Sequence, residues 1–192
     1  MQLSDKALKL VSEHLKDHQK RLTHILGVKE MALYLAQKYN VDLDLAESAA
    51  LMHDYSKYDS YEEAAKYLTK AELDECYKYP FMLHAYLSAY KYKELISDNK
   101  DSFNAIYNHV FGRPNMSTLE KIIMISDYTE KNRTYPDCIE VRKILLDGDM
   151  DLAIYESLIR TIKHCESEGK VAHPRQLEVL KEYEERIKNR WI

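Results

Sequence analysis

The sequence predicts an all-α protein built as a single helical bundle. Three observations carry that prediction. Apolar residues recur at helical spacing from end to end, and no run alternates apolar and polar side chains as a half-buried strand would. Only four glycines and four prolines interrupt 192 residues, which favours long helices over a turn-rich β fold. That length suits one well-buried core better than two independent ones, so residues 1–192 are expected to form one domain.

The elements follow in order. "DKALKLVSEHLKDH" is amphipathic, with Ala7, Leu10, Val11 and Leu15 on one side. "QKRLTHILGVKEMALYLAQKYN" continues the period and stops at Asn40, a residue that ends helices well. In "LDLAESAA" the inner face carries Ala46, Ala49 and Ala50, and one turn later it reaches His53 and Asp54. "SYEEAAKYLTKAEL" opens on Ser60 as an N-cap and reads as one helix without a defined far end. "FMLHAYLSAYKYKELI" and "DSFNAIYNHVFG" come next, the latter stopped by Gly112 and Pro114. "STLEKIIMISDY" starts with Ser117 and Glu120 at capping-box spacing. The last third holds "PDCIEVRKILLDG", "DMDLAIYESLIRTIKHCESEG" and "PRQLEVLKEYEERIKNR", with prolines and glycines where helices favour them at their starts and ends.

Composition narrows the function. A net charge of −4 gives no electrostatic footprint for nucleic-acid binding. No apolar run is long enough for a membrane span and "MQLSDKALKL" lacks a signal-peptide core, so a cytoplasmic protein is expected. Cys76, Cys138 and Cys165 are odd in number and form no CxxC pair; they read as reduced thiols rather than as metal ligands.

The chemistry sits in polar residues that share the apolar face of their helices. His24 lines up with Val28, Met31 and Leu35, His109 with Ala105 and Ile106, and Asp127 with Ile123 and Met124. His84 falls one turn before Leu87. With His53 and Asp54, four imidazoles and two carboxylates point inward from five helices. Each would need its own buried partner, and a shared cation satisfies them together. Imidazole and carboxylate without thiolate suit Fe, Mn, Zn or Co. Six ligands exceed the needs of one open catalytic ion, so two ions are expected, with Asp54 bridging them and His53 on one. Paired ions roughly 3.5–4 Å apart recur in phosphate-ester and phosphoanhydride hydrolysis. Lys57 lies one turn beyond His53, and Arg113 and Arg133 follow the helices bearing His109 and Asp127.

His24, His53-Asp54 and Asp127 form the pattern "H…HD…D", which resembles the metal-binding signature of the HD superfamily of phosphohydrolases. More narrowly, "RLTHILGV", "AALMHDYSK", "HAYLSAY", "NHVFGRPNMSTLEKIIMISDYTEKNR" and "YPDCIEVRK" resemble the bacterial YqeK family, the symmetrical diadenosine tetraphosphate hydrolases. The likeness runs from about residue 21 to 142, with the C-terminal helices completing the bundle. It implies a di-metal centre, iron first among the candidates, on His24, His53, Asp54, His84, His109 and Asp127. It also implies phosphate contacts from Lys57, Arg113 and Arg133, with Asp54 and Lys57 closest to the chemistry. Two departures fall near the mouth of that site. Val110 and Phe111 stand where the family has small hydroxylated residues, and Lys131 stands where it has proline.

The expected reaction is therefore metal-dependent cleavage of diadenosine tetraphosphate to two ADP, with a metal-bound hydroxide as nucleophile. A mononucleotide or deoxynucleotide phosphohydrolase and a non-catalytic nucleotide-binding module are the alternatives. No GYP motif follows the HD pair, against a cyclic-dinucleotide role. A homodimer is compatible with base rate and with the resemblance. His14 and His18 are expected at the surface, and His173 in a loop or cap. The sixteen tyrosines are expected mostly as core with hydroxyls at the rim, with one or two, such as Tyr55 or Tyr79, bordering a nucleotide.

Overall fold

The computed structural model describes residues 2–191, and among them every regular element is a helix. α1 (Leu3–His14), α2 (Gln19–Lys38) and α3 (Leu43–Met52) open the chain. Asp42 caps α3 by accepting the Leu45 N–H at 2.9 Å. Asn40 takes a positive φ of 54°, the left-handed conformation that ends α2.

The stretch expected as one helix from Ser60 divides in two. Ser60 does cap, accepting the Glu63 N–H, but α4 (Tyr61–Ala64) lasts one turn. A second start at Thr69 then opens α5 (Lys70–Lys78): Thr69 accepts the Glu72 N–H, and Glu72 accepts the Thr69 N–H at 2.7 Å. The reciprocal pair offers the backbone a fresh terminus that helical period alone does not reveal.

α6 (Met82–Leu95), α7 (Lys100–Tyr107) and α8 (Thr118–Thr129) follow, then α9 (Pro136–Leu146), α10 (Met150–Ser167) and α11 (Pro174–Lys188). α7 ends earlier than the periodicity implied, so His109 occupies the turn after it. No described helix is long and apolar enough to cross a membrane.

α3 is the hub. Ala46, Ala49 and Ala50 are fully buried, and their small side chains let α1, α2, α7 and α8 approach closely. Ile25, Val28 and Leu35 of α2 pack with Leu51, Ile106, Ile122, Ile123, Ile154 and Val179 in the main core. A second apolar cluster, with Cys76, Met82, Tyr86, Leu87 and Phe111, lies under α4, α5 and α6. The three cysteines are unpaired thiols, and burial pushes Cys76 up to about 12, so it stays a neutral core residue.

The start of α8 shows how local chemistry fixes the frame. Ser117 accepts the Glu120 N–H, Glu120 accepts the Ser117 N–H at 2.8 Å, and the Ser117 hydroxyl donates to Asp101 at 2.6 Å. Ser117→Ala removes the cap and the link to Asp101 together. It is expected to lower unfolding stability by about 1–2 kcal/mol, read as a shift in urea midpoint at constant m-value.

Candidate metal centre

The six expected ligands converge, and they do so where helices end. His53 is the C-cap of α3 and Asp54 lies in the turn beyond it. His109 follows α7, Asp127 sits in the last turn of α8, His84 in the first turn of α6, and His24 one turn into α2.

The two oxygens of Asp54 divide the histidines. Oδ2 lies 3.7 Å from His24 Nε2 and 3.6 Å from His53 Nε2. Oδ1 lies 2.9 Å from His84 Nε2 and 3.9 Å from His109 Nε2. Asp127 Oδ1 joins the first group, 3.0 Å from His24 Nε2 and 3.8 Å from His53 Nε2. Two ligand triads have their donor atoms within 4.8 Å of one another: His24, His53 and Asp127, and His53, Asp54 and His109.

Tautomers are set from behind. His53 donates Nδ1–H to the Ala50 carbonyl at 2.6 Å, and His109 does the same to Ile106 at 2.7 Å. His24 donates Nδ1–H to Glu130 at 3.2 Å. Each ring therefore presents Nε2 inward, the arrangement that orients imidazole ligands. The Nε2 atoms of His24 and His53 and the Oδ1 of Asp54 are buried without a hydrogen-bond partner. Orphaned lone pairs on neutral imidazole and carboxylate, facing one another, are the donor set that divalent transition metals take, so these residues fit the group they were expected to hold.

Electrostatics agree. Burial alone would raise Asp54, but His53, His84 and Lys57 outweigh it and hold the carboxyl well below the usual range. Asp127 is likewise held down against burial, by Arg133 and His24. Burial lowers His53, and pushes His84 and His109 down to about 4, so both of the latter are neutral imidazoles at pH 7. Burial also opposes protonation of His24, but Asp127 and Asp54 raise it overall.

The low values have a consequence for stability. The unfolded chain binds protons on these rings below about pH 6.5, whereas the folded, metal-free chain resists them until about 4. Chelator-treated protein is therefore expected to lose stability as pH falls from 6.5 toward 4. Urea midpoints at pH 7.5, 6 and 5 check this; equal midpoints would contradict it.

The expected phosphate contacts separate. Lys57 Nζ lies 3.4 Å from Asp54 Oδ1 and 3.2 Å from His84 Nε2, and Arg133 reaches Asp127 at 2.7 Å. Both border the cluster. Arg113 does not join them. Its guanidinium is held bidentately by Glu120 at 2.7 and 2.8 Å, so the fork expected at a phosphate closes the capping box of α8 instead.

Three contributors escaped the sequence reading. Arg21 donates to Asp54 Oδ2 at 2.6 Å; its place three residues before His24, on the same face of α2, was the available signal. Glu130 stands behind His24 and is 1% exposed, its other oxygen accepting the Asn132 N–H at 2.6 Å. Arg142 donates to the carbonyls of Thr129, Glu130 and Arg133, stapling the segment that carries Glu130 and Arg133. Glu130 and Arg142 come into play only through a turn that local pattern does not define. His173 is the N-cap of α11, as expected, and His14 pairs with Asp59 and stacks on Tyr55 at the surface.

A helical bundle that gathers histidines and aspartates at its helix ends has the architecture of an HD domain, and residues 21–132 match the HD domain family model. The chain is 38% identical over 172 residues to the symmetrical bis(5'-nucleosyl)-tetraphosphatase of Halalkalibacterium halodurans, covering 88% of this chain and 90% of the relative. It is 35% identical to the protein of the same name from Bacillus subtilis, covering 82% and 85%. The crystal structure of a predicted HD superfamily hydrolase involved in NAD metabolism, from Clostridium acetobutylicum, matches with a TM-score of 0.83 at 34% identity, over 95% of this chain and 97% of that one. The chain belongs to the symmetrical bis(5'-nucleosyl)-tetraphosphatase family of HD-domain proteins.

Proposed function

We propose that the protein is a metal-dependent hydrolase that cleaves diadenosine tetraphosphate symmetrically into two ADP. The observation that carries the reading is Asp54, whose two oxygens face separate histidine pairs. That division suits two cations sharing one carboxylate. His24, His53, Asp54 and Asp127 would hold one, and Asp54, His84 and His109 the other, with iron the first candidate and Mn, Co or Zn the alternatives. When bound, such a pair supplies Lewis acidity and lowers the pKa of water at the phosphoryl group.

The chain's own residues supply the rest. Arg21, Lys57 and Arg133 ring the cluster with positive charge and are partly open to solvent, where a polyphosphate would meet them. Glu130, Ala50 and Ile106 keep the imidazoles of His24, His53 and His109 turned inward. ADP is an acidic leaving group, so departure needs no protonated side chain.

The test is product analysis on anaerobically purified, metal-quantified protein. Diadenosine tetraphosphate should give ADP alone. AMP with ATP, or no turnover by protein carrying its full metal complement, would overturn the reading.

A further inference from the structure

Beside the metal centre the surface opens into a cleft of about 530 Å3, within the usual range for small-molecule sites. Tyr79, Phe81, Phe111 and His173 wall it, and Lys78 and Lys170 stand at its mouth. A hollow of about 40 Å3 is bordered by His109 and Asp127. Gln176 lines both spaces and so links the cleft to the candidate ligands His109 and Asp127.

Gln176 is 1% exposed, and neither its Nε2 nor its Oε1 has a hydrogen-bond partner. A buried primary amide carries two donors and an acceptor that are unfavourable to leave unmade. What satisfies both ends at once is a ligand edge offering a donor beside an acceptor. Adenine is such an edge, and glutamine pairs with it through two hydrogen bonds.

The walls suit the faces of a base. Phe111 stacks on His173, centroids 4.9 Å apart at 22°, and Tyr79 meets the His173 ring edge-on at 4.3 Å. His173 is locked: its Nδ1 accepts the Arg175 N–H, so Nε2–H donates to Glu75 at 2.9 Å. Glu75 is held in turn by the Tyr86 hydroxyl and Arg175. The wall is thus fixed before any ligand arrives, which limits the entropy lost on binding. Lys78 Nζ lies 5.3 Å from the Tyr79 ring centroid and Lys170 Nζ 5.2 Å from that of Phe81, leaving a cationic rim around a flat apolar interior.

We infer that this cleft takes the adenine base of one half of the substrate, with Gln176 hydrogen-bonding its edge and the Phe111–His173 wall stacking on its face. The inference rests on the dinucleotide reading above and adds to it a specificity-determining pocket. Phe111, one of the three residues at which the sequence departs from the family pattern it resembles, becomes part of the stacking surface.

Calorimetric titration of the metal-loaded protein with ADP, UDP and inorganic pyrophosphate separates base from phosphate. The unaltered protein should bind ADP more tightly than UDP, and UDP no more than slightly better than pyrophosphate. Gln176→Leu should cost roughly tenfold or more in ADP affinity, with pyrophosphate affinity and metal content unchanged. Phe111→Ser should also weaken ADP and spare pyrophosphate. Equal affinities of the unaltered protein for ADP and pyrophosphate would overturn the pocket without any variant, as would a folded Gln176→Leu that binds ADP normally. Either result could coexist with cleavage of diadenosine tetraphosphate. Conversely, base-dependent ADP binding without that cleavage would remove the reaction and leave the pocket standing.

Discussion

Asp54→Ala is expected to reduce turnover of diadenosine tetraphosphate at least about a thousandfold, on the order of 4 kcal/mol of transition-state stabilisation. It should also leave at most one ion per chain. The magnitude follows from position. Asp54 is 2% exposed and is the one candidate ligand facing both histidine pairs, so no neighbouring carboxylate replaces it. Its loss also leaves Arg21 and Lys57 without the carboxylate that each of them faces. Asp54→Asn keeps the shape but exchanges a charged ligand for a weak one, and should fall in the same direction. Metal analysis and turnover at saturating metal check both variants. Retention of two ions and of activity by Asp54→Ala would remove the bridging role.

Gly27→Ala should have the second largest effect, although Gly27 touches no candidate ligand. A Cβ at this position would overlap Glu130 Oε2 and stand 2.8 Å from Asn132 Nδ2. Glu130 has little freedom to yield, because one oxygen accepts from His24 and the other from the Asn132 backbone in a buried setting. The added methyl must therefore move the carboxylate and release the His24 ring. Partners behind a metal-bound imidazole typically matter by 10–100-fold in affinity or activity, and a loss in that range, about 1.4–2.7 kcal/mol, is expected here. Glu130→Gln, which preserves shape while removing charge, should be milder. Metal affinity measured by chelator competition, alongside circular dichroism to confirm helicity, checks the pair. Unchanged affinity in Gly27→Ala would show that Glu130 can relax without disturbing His24.

The bundle was legible because its helices announce themselves. Ser117 with Glu120, Asn40, Pro136, Pro174, Gly148 and Gly169 mark boundaries where the structure has them. The break at Thr69 carried the same kind of mark as Ser117, but the apolar period running through it masked the signal. For the site, inward-facing polarity pointed to His24, His53, Asp54, His84, His109 and Asp127, which the structure brings together, since a buried polar group needs an explanation wherever it falls. Cationic loop residues carry no such constraint. Arg113 and Arg133 look alike in sequence, and only tertiary packing hands one to Glu120 and the other to Asp127. Glu130 and Arg142 depend on a turn with no periodicity, and Gln176 on the packing of α11 against α10.

His53, His109 and Asp127 all lie where α3, α7 and α8 terminate. The carbonyl end of a helix carries roughly half an elementary negative charge. Three such ends aimed at one spot create a standing potential well for cations, independent of any titrating side chain. His84, by contrast, belongs to the opening turn of α6, whose amide end has the opposite polarity and favours anions. Three of the helix ends around the cluster thus favour cations and the fourth opposes them, so beside His84 the Asp54 carboxylate has to offset the α6 terminus as well. Lengthening α3, α7 or α8 by a turn would displace one of those favourable ends even if every side chain were kept.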